Sequence, residues 1–149
     1  MLILRDTREQ NPWLFANAEI KTLKTGDYTL SGFEDKICIE RKGCVEEFSN
    51  NLVKDFSRFE KELDRMRVFD HKFIICEFPF GDVVDYPNSC KSKKAREASR
   101  ISGKFLIKRI SEIQLEYDVN VMFFDDRKSA MQYVDSLLRR VYERYTQPE

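Results

Sequence analysis

The sequence lacks the means for structural zinc. Its four cysteines, Cys38, Cys44, Cys76 and Cys90, include no Cys-x-x-Cys pair, and His71 is the only histidine. A structural zinc site needs about four Cys or His ligands at short spacing, so none is expected. Cys38 and Cys76 lie within apolar runs and read as core thiols. No apolar run approaches a membrane span, and the N-terminus has no signal-peptide pattern. The expectation is a soluble, intracellular protein of cytoplasm, nucleoid or nucleus. Internal repeats, low-complexity tracts and Gly/Ser linkers are also missing. Charge of one sign is not in excess, with 26 basic against 26 acidic residues. That balance argues against coating nucleic acid by bulk charge, and leaves a local basic face to be sought along the chain.

What is present is enough for one packed core. A chain of 149 residues fits a single domain. Twelve Phe within a 42% hydrophobic composition point to an ordered interior. Leu2 to Leu4 reads as a short strand ending at Arg5-Asp6, and Asn11-Pro12 breaks the chain after it. Residues 19–24, 27–31 and 37–41 read as three strands of an antiparallel meander, with turns at Gly26 and Ser31-Gly32. Phe48, Leu52, Phe56, Phe59, Leu63 and Met66 recur at helical spacing and predict one long helix over about 45–66. A buried strand at 72–76, a helical turn at 82–86, a long helix over about 93–116, a strand at 120–124 and a helix over about 129–145 follow. The fold class expected is α/β, a central mixed sheet flanked by helices.

The run Ile37-Cys38-Ile39-Glu40-Arg41-Lys42 starts as a buried strand and ends on three charges. Glu40 and Lys42, two residues apart, project from one face, and Arg41 from the other. If the meander pairs as read, Asp27 starts the neighbouring strand, and Asp6 and Glu9 lie at a third strand end. Four carboxylates near one point cannot all stay ionised without a cation. Oxygen ligands without His or Cys suit Mg²⁺ or Mn²⁺, and such an ion with Lys42 beside it fits phosphodiester hydrolysis. The spacing alone is weak evidence. A carboxylate two residues before a lysine occurs five times: Glu19/Lys21, Glu34/Lys36, Glu40/Lys42, Asp70/Lys72 and Asp126/Lys128. By that measure, solvated strand-end charge is an equal reading.

Taken together, Asp6-Thr7-Arg8-Glu9, Gly26-Asp27-Tyr28 and Ile39-Glu40-Arg41-Lys42 resemble the ordered motifs of the XPF nuclease family, which includes the archaeal Hef nuclease. The resemblance covers the chain as a nuclease domain of the restriction-endonuclease-like class. It implies a Mg²⁺- or Mn²⁺-dependent DNA endonuclease acting on branched, flap or distorted DNA in repair, recombination or replication. Residue by residue, it implies that Asp27, Glu40 and the Arg41 carbonyl bind the metal and that Lys42 is the catalytic lysine. Asp6 and Glu9 would complete the acidic cluster, with Arg8 holding those carboxylates or a phosphate. Arg58 matches an arginine the family often places near the site. The sequence departs from the pattern at Glu46, where the family has Asp. No C-terminal helix-hairpin-helix module is expected.

For DNA contact, Lys93, Lys94, Arg96, Arg100, Lys104 and Lys108 stand out. The last four recur every four residues and would form a basic stripe on one helix. A solvated helix face is the equal alternative. The family resemblance also implies pairing, as homodimer or heterodimer, and the apolar final helix offers a surface for it. His71 reads as a solvated turn residue, and Trp13 as a packing residue or a base-stacking one. Two other functions remain open: a catalytically silent nuclease-fold subunit that positions a partner on DNA, and another restriction-endonuclease-like nuclease.

Overall fold

A computed structural model describes all 149 residues. In chain order, the strands are β1 Ile3–Asp6, β2 Ala18–Lys21, β3 Tyr28–Leu30, β4 Ile37–Lys42, β5 His71–Cys76 and β6 Asn120–Phe123. The helices are α1 Val45–Leu52, α2 Phe56–Met66, α3 Phe80–Val84, α4 Lys93–Ala98, α5 Gly103–Tyr117 and α6 Arg127–Thr146. The strands form one six-stranded sheet in the order β2-β1-β3-β4-β5-β6. The α/β class and the mixed sheet are as the sequence predicts.

Alternation along the strands sorts the apolar side chains into two cores. Cys38, Ile74 and Cys76 face α1, α2 and α5, joining Phe48, Leu52, Phe59, Leu63, Leu106 and Ile110. Ile37, Ile39 and Ile75 face the other way, onto Ala130, Val134 and Leu138 of α6. Each fully buried Phe, Leu or Ile contributes roughly 1.5–3 kcal/mol, so both helical layers are held firmly to the sheet.

Three expectations need correction. Residues 19–24, 27–31 and 37–41 are not three adjacent strands of a meander. β1 inserts between β2 and β3, antiparallel to β3, and β2 lies parallel to β1 at the sheet edge. The helix predicted over 45–66 is two helices. The chain leaves α1 at Val53, and the Asp55 N–H donates to the Asn50 carbonyl at 2.8 Å. Both pieces bury apolar residues in one core, so the periodicity runs through the break. The helix over 93–116 is likewise broken, between Ala98 and Gly103. Gly103 starts α5 where the Val83 and Val84 carbonyls leave no room for a Cβ.

Candidate active site

Where β3 begins and β4 ends, the chain lacks a full ladder, and side chains take over the pairing. The Asp27 N–H donates to the Ile39 carbonyl at 2.8 Å, and the Asp6 N–H donates to the Asp27 carbonyl at 2.8 Å. One residue further along, β3 has no backbone partner for Arg41. The Asp27 carboxylate fills that place, accepting the Arg41 N–H at 2.8 Å. Because a strand residue points its N–H and C=O to the same side, the Arg41 carbonyl also faces the Asp27 edge. Gly26 makes the approach possible. Its φ is +81°, and a Cβ there would lie 2.5 Å from Cys38 Sγ.

Glu40 and Lys42 lie on the α1/α2 side of the sheet, as their spacing predicts. Burial pushes the Glu40 carboxyl well above its ordinary value, and the adjacent Asp27 charge pushes it further, against the pull of Lys42. Burial likewise raises Asp27, although hydrogen bonds from Glu40 and the Arg41 N–H offset part of it. Two carboxyls that face each other in a poorly solvated place will share a proton or take a cation. Lys42 is only 6% exposed. Its Nζ lies 4.0 Å from Glu47 and 5.3 Å from the Phe59 ring centre. These groups line a cleft of about 700 Å³, whose rim includes Arg8, Asn51, Asp55, Arg58 and Glu62. Asn51 Oδ1 is buried in this wall without a hydrogen-bond partner.

The other two expected carboxylates do not join the pair, and no group of three or more acidic, His or Cys side chains converges as a metal-holding set. Asp6 is 3% exposed and lines the recess beside Asp27 and Glu40, but its carboxylate is already engaged. It accepts from Arg8 Nε and the Leu23 N–H, each at 2.8 Å. Burial alone would raise its carboxyl, but these donors outweigh that and hold it below the usual value. Glu9 turns to Arg41, whose Nε and Nη2 each reach it at 3.3 Å. Arg41 Nη1 reaches Glu77 at 3.3 Å, and Glu77 in turn accepts from Arg127 Nη1 at 3.4 Å. The Arg41 side chain thus lies on the α6 face, as strand alternation predicts, in a largely buried charge network that joins β4, the residue after β5, α6 and the loop after β1. Arg8 bridges Asp6 and the Leu23 carbonyl, at 2.8 Å to each, while its side chain stays 70% exposed at the cleft rim.

Other expected residues sort as follows. Arg58 projects from α2 into the cleft. Glu46 is not part of the cleft wall; it accepts the Lys91 N–H at 2.7 Å and fixes the segment before α4. The basic stripe is not continuous, since Lys93 and Lys94 lie on α4, Arg100 in the break, and Lys104 and Lys108 on α5. Arg96 folds back onto the Cys90 and Lys91 carbonyls at 2.7 and 3.1 Å. Trp13 is fully buried and stacked on Tyr28 at 4.8 Å between ring centres, so no base can reach it. His71 is not in a turn; it begins β5, with Nε2 2.9 Å from the Tyr145 hydroxyl. Sequence reasoning missed Glu62. The signal was available: Arg58, Glu62 and Arg65 recur at four and three residues, each one residue before Phe59, Leu63 and Met66, and so flank the apolar stripe of α2.

The ERCC4 domain family matches residues 5–137, which include every residue of the carboxyl pair and its surroundings described above. No curated protein sequence matches the chain significantly. Among solved structures, the chain is similar to XPF from Aeropyrum pernix, with a TM-score of 0.69 at 23% identity over 97% of this chain and 66% of that one. It is similar also to XPF from Aeropyrum pernix in complex with DNA, with a TM-score of 0.68 at 23% identity over 98% of this chain and 67% of that one. The chain therefore spans about two thirds of each of those proteins and shares their fold.

Proposed function

The chain belongs to the ERCC4 domain family, and on that footing we propose that it is a divalent-metal-dependent DNA endonuclease that hydrolyses phosphodiester bonds. The observation that carries this reading is the half-buried Asp27/Glu40 pair, with the buried Lys42 on the same strand face, inside a cleft rimmed by Arg8 and Arg58. The solved DNA complex of XPF from Aeropyrum pernix supports DNA as the polymer.

The residues present fit a hard cation. Mg²⁺ keeps several waters and is held by one or two carboxylates together with substrate phosphate, so two carboxylates suffice where four were expected. Asp27, Glu40 and the Arg41 carbonyl would hold the ion, and Mn²⁺ would serve in its place. When bound, it would polarise a phosphate oxygen and lower the pKa of water. Asp27 is held ready for this by the Arg41 N–H, which fixes one carboxylate oxygen. The Lys42 ammonium, held by packing on Phe59, would stabilise negative charge growing on the scissile phosphate or orient the attacking water. Arg8 and Arg58 would grip the flanking phosphates and keep the reacting one in line. The Glu9–Arg41–Glu77–Arg127 network acts at one remove, by fixing the strand end that carries Glu40 and Lys42. Branched, flap or distorted DNA is the proposed substrate class, in repair, recombination or replication. Pairing with a second chain belongs to the same proposal, with the half-buried Met131, Tyr133 and Leu137 flanking the packed face of α6 as the surface for it.

The test is cleavage of labelled duplex, flap and splayed-arm DNA in Mg²⁺ and in Mn²⁺. Wild type should cut at least one of these, and Lys42→Met, which keeps the packing, should lose at least 100-fold in rate, or about 2.7 kcal/mol. Failure of wild type to cut any of them in either metal, or full activity of Lys42→Met, would sink the assignment.

A further inference from the structure

The cleft does not end at the carboxyl pair. Arg8, Asp27 and Glu40 also line a second, narrower recess of about 160 Å³, together with Lys24, Thr25, Glu62 and Arg65. Lys24, Thr25 and Arg65 then border a third hollow of about 570 Å³, which Lys21 also borders. Shared wall residues make these three hollows one groove. α2 forms one side, with Arg58, Glu62 and Arg65 spaced along it. Seven residues of helix rise about 10.5 Å. That length spans about three nucleotide steps of a strand at 3.4 Å each. The chain from Leu23 to Asp27 forms the opposite side.

The charges along the groove are distributed unevenly. Beside the Asp27/Glu40 pair, Asp6 is engaged by Arg8, Glu34 by Lys21 at 3.4 Å and Asp35 by Lys36 at 3.5 Å, which leaves Glu62 as the one acid of the two further hollows without an ion pair. Lys24 and Arg65 are exposed and enter no ion pair or side-chain hydrogen bond. The far hollow has an apolar floor of Leu23, Val68 and Phe69, with Val68 76% exposed. Cations above an apolar floor suit a polymer with a charged backbone and flat, weakly polar bases.

We propose that this groove is the track for one strand of the DNA substrate. Phosphates on one side of the scissile bond lie against Arg58, and those on the other side against Lys24 and Arg65, with sugars or bases over Leu23, Val68 and Phe69. The track rests on the endonuclease reading and adds to it a direction: the substrate strand runs along α2 toward β2, away from α4.

Fluorescence anisotropy with a labelled splayed-arm DNA in Ca²⁺, over a salt series, tests this. Lys24→Glu/Arg65→Glu should weaken binding at least tenfold and flatten the slope of log K against log salt by about 2, one per lost phosphate contact. Both side chains are exposed, so the melting temperature should stay close to wild type; Lys24→Ala/Arg65→Ala, with a smaller loss of the same sign, checks that the reversed charge is not the sole cause. Lys93→Glu/Lys94→Glu on α4 is the rival. If that pair weakens binding and the groove pair keeps wild-type affinity and slope, the track is wrong. Cleavage by wild type is scored separately. A wild type that cuts DNA while the groove pair binds normally overturns only the track; a wild type that cuts nothing, with the groove pair weakened, overturns only the endonuclease reading.

Discussion

The Asp27 carboxylate accepts the Arg41 backbone N–H at 2.8 Å. One side chain thereby finishes a sheet ladder and is held against Glu40. Stability and chemistry at this position are separable. Asn offers the same acceptor without the charge, so Asp27→Asn should melt no lower than wild type and remove activity. Asp27→Ala strands the Arg41 N–H, at a cost of about 1–3 kcal/mol. Thermal melts of the two variants, run beside the cleavage assay, check this. Equal destabilisation by both would show that the hydrogen bond contributes nothing.

The Arg41 side chain is a second case where structure and chemistry divide. It lies buried between Glu9 and Glu77. Arg41→Ala leaves two buried carboxylates short of their partner and should cost about 3–5 kcal/mol in urea unfolding. Arg127→Ala removes a more exposed arm of the same network and should cost clearly less. A loss of under 1 kcal/mol for Arg41→Ala would mean that the network contributes little to the fold.

How much of this was visible in the sequence depends on the range of the interaction. The alternation Ile37, Ile39, Arg41 against Cys38, Glu40, Lys42 is local, and it placed Arg41 and the Glu40/Lys42 pair on opposite faces correctly. The insertion of β1 between β2 and β3 is a pairing between distant segments, and no local pattern marks it. The break after Leu52 was hidden because α1 and α2 bury one continuous core; the break after Ala98 was hidden because Arg96, Arg100, Lys104 and Lys108 keep a four-residue spacing through it, although α4 itself buries nothing. Asp6 sits in the motif beside Glu9, yet Arg8 and the Leu23 N–H claim it. Its partners come from 2 and 17 residues away, and only the folded loop brings them together.

The carboxyl pair also sets a pH dependence. In the metal-free protein, burial raises both Glu40 and Asp27. The folded chain then holds a proton more tightly than the unfolded one. The pair's stabilising effect is complete below the ordinary carboxylate pKa of about 4 and is lost as pH rises through the raised values. Asp6 and Glu46, both lowered, act in the opposite sense and lose their contribution as pH falls through their own values. The difference between wild type and Asp27→Asn/Glu40→Gln isolates the pair. In metal-free buffer, wild type should lose melting temperature relative to that variant as pH rises from about 4, and Mg²⁺ should restore more of it at higher pH, because cation and proton compete. A difference that does not change with pH would contradict the raised values.

The central claim is that Asp27 and Glu40 together hold one hard divalent cation. Electron paramagnetic resonance of Mn²⁺ titrated into the protein without DNA tests it most directly, since free and bound ion are counted separately. Wild type and Lys42→Met should each bind one Mn²⁺ per chain, displaced by excess Mg²⁺, with occupancy lost in Asp27→Asn and in Glu40→Gln. Equal binding by wild type and both carboxylate variants, or no binding by wild type, would contradict it.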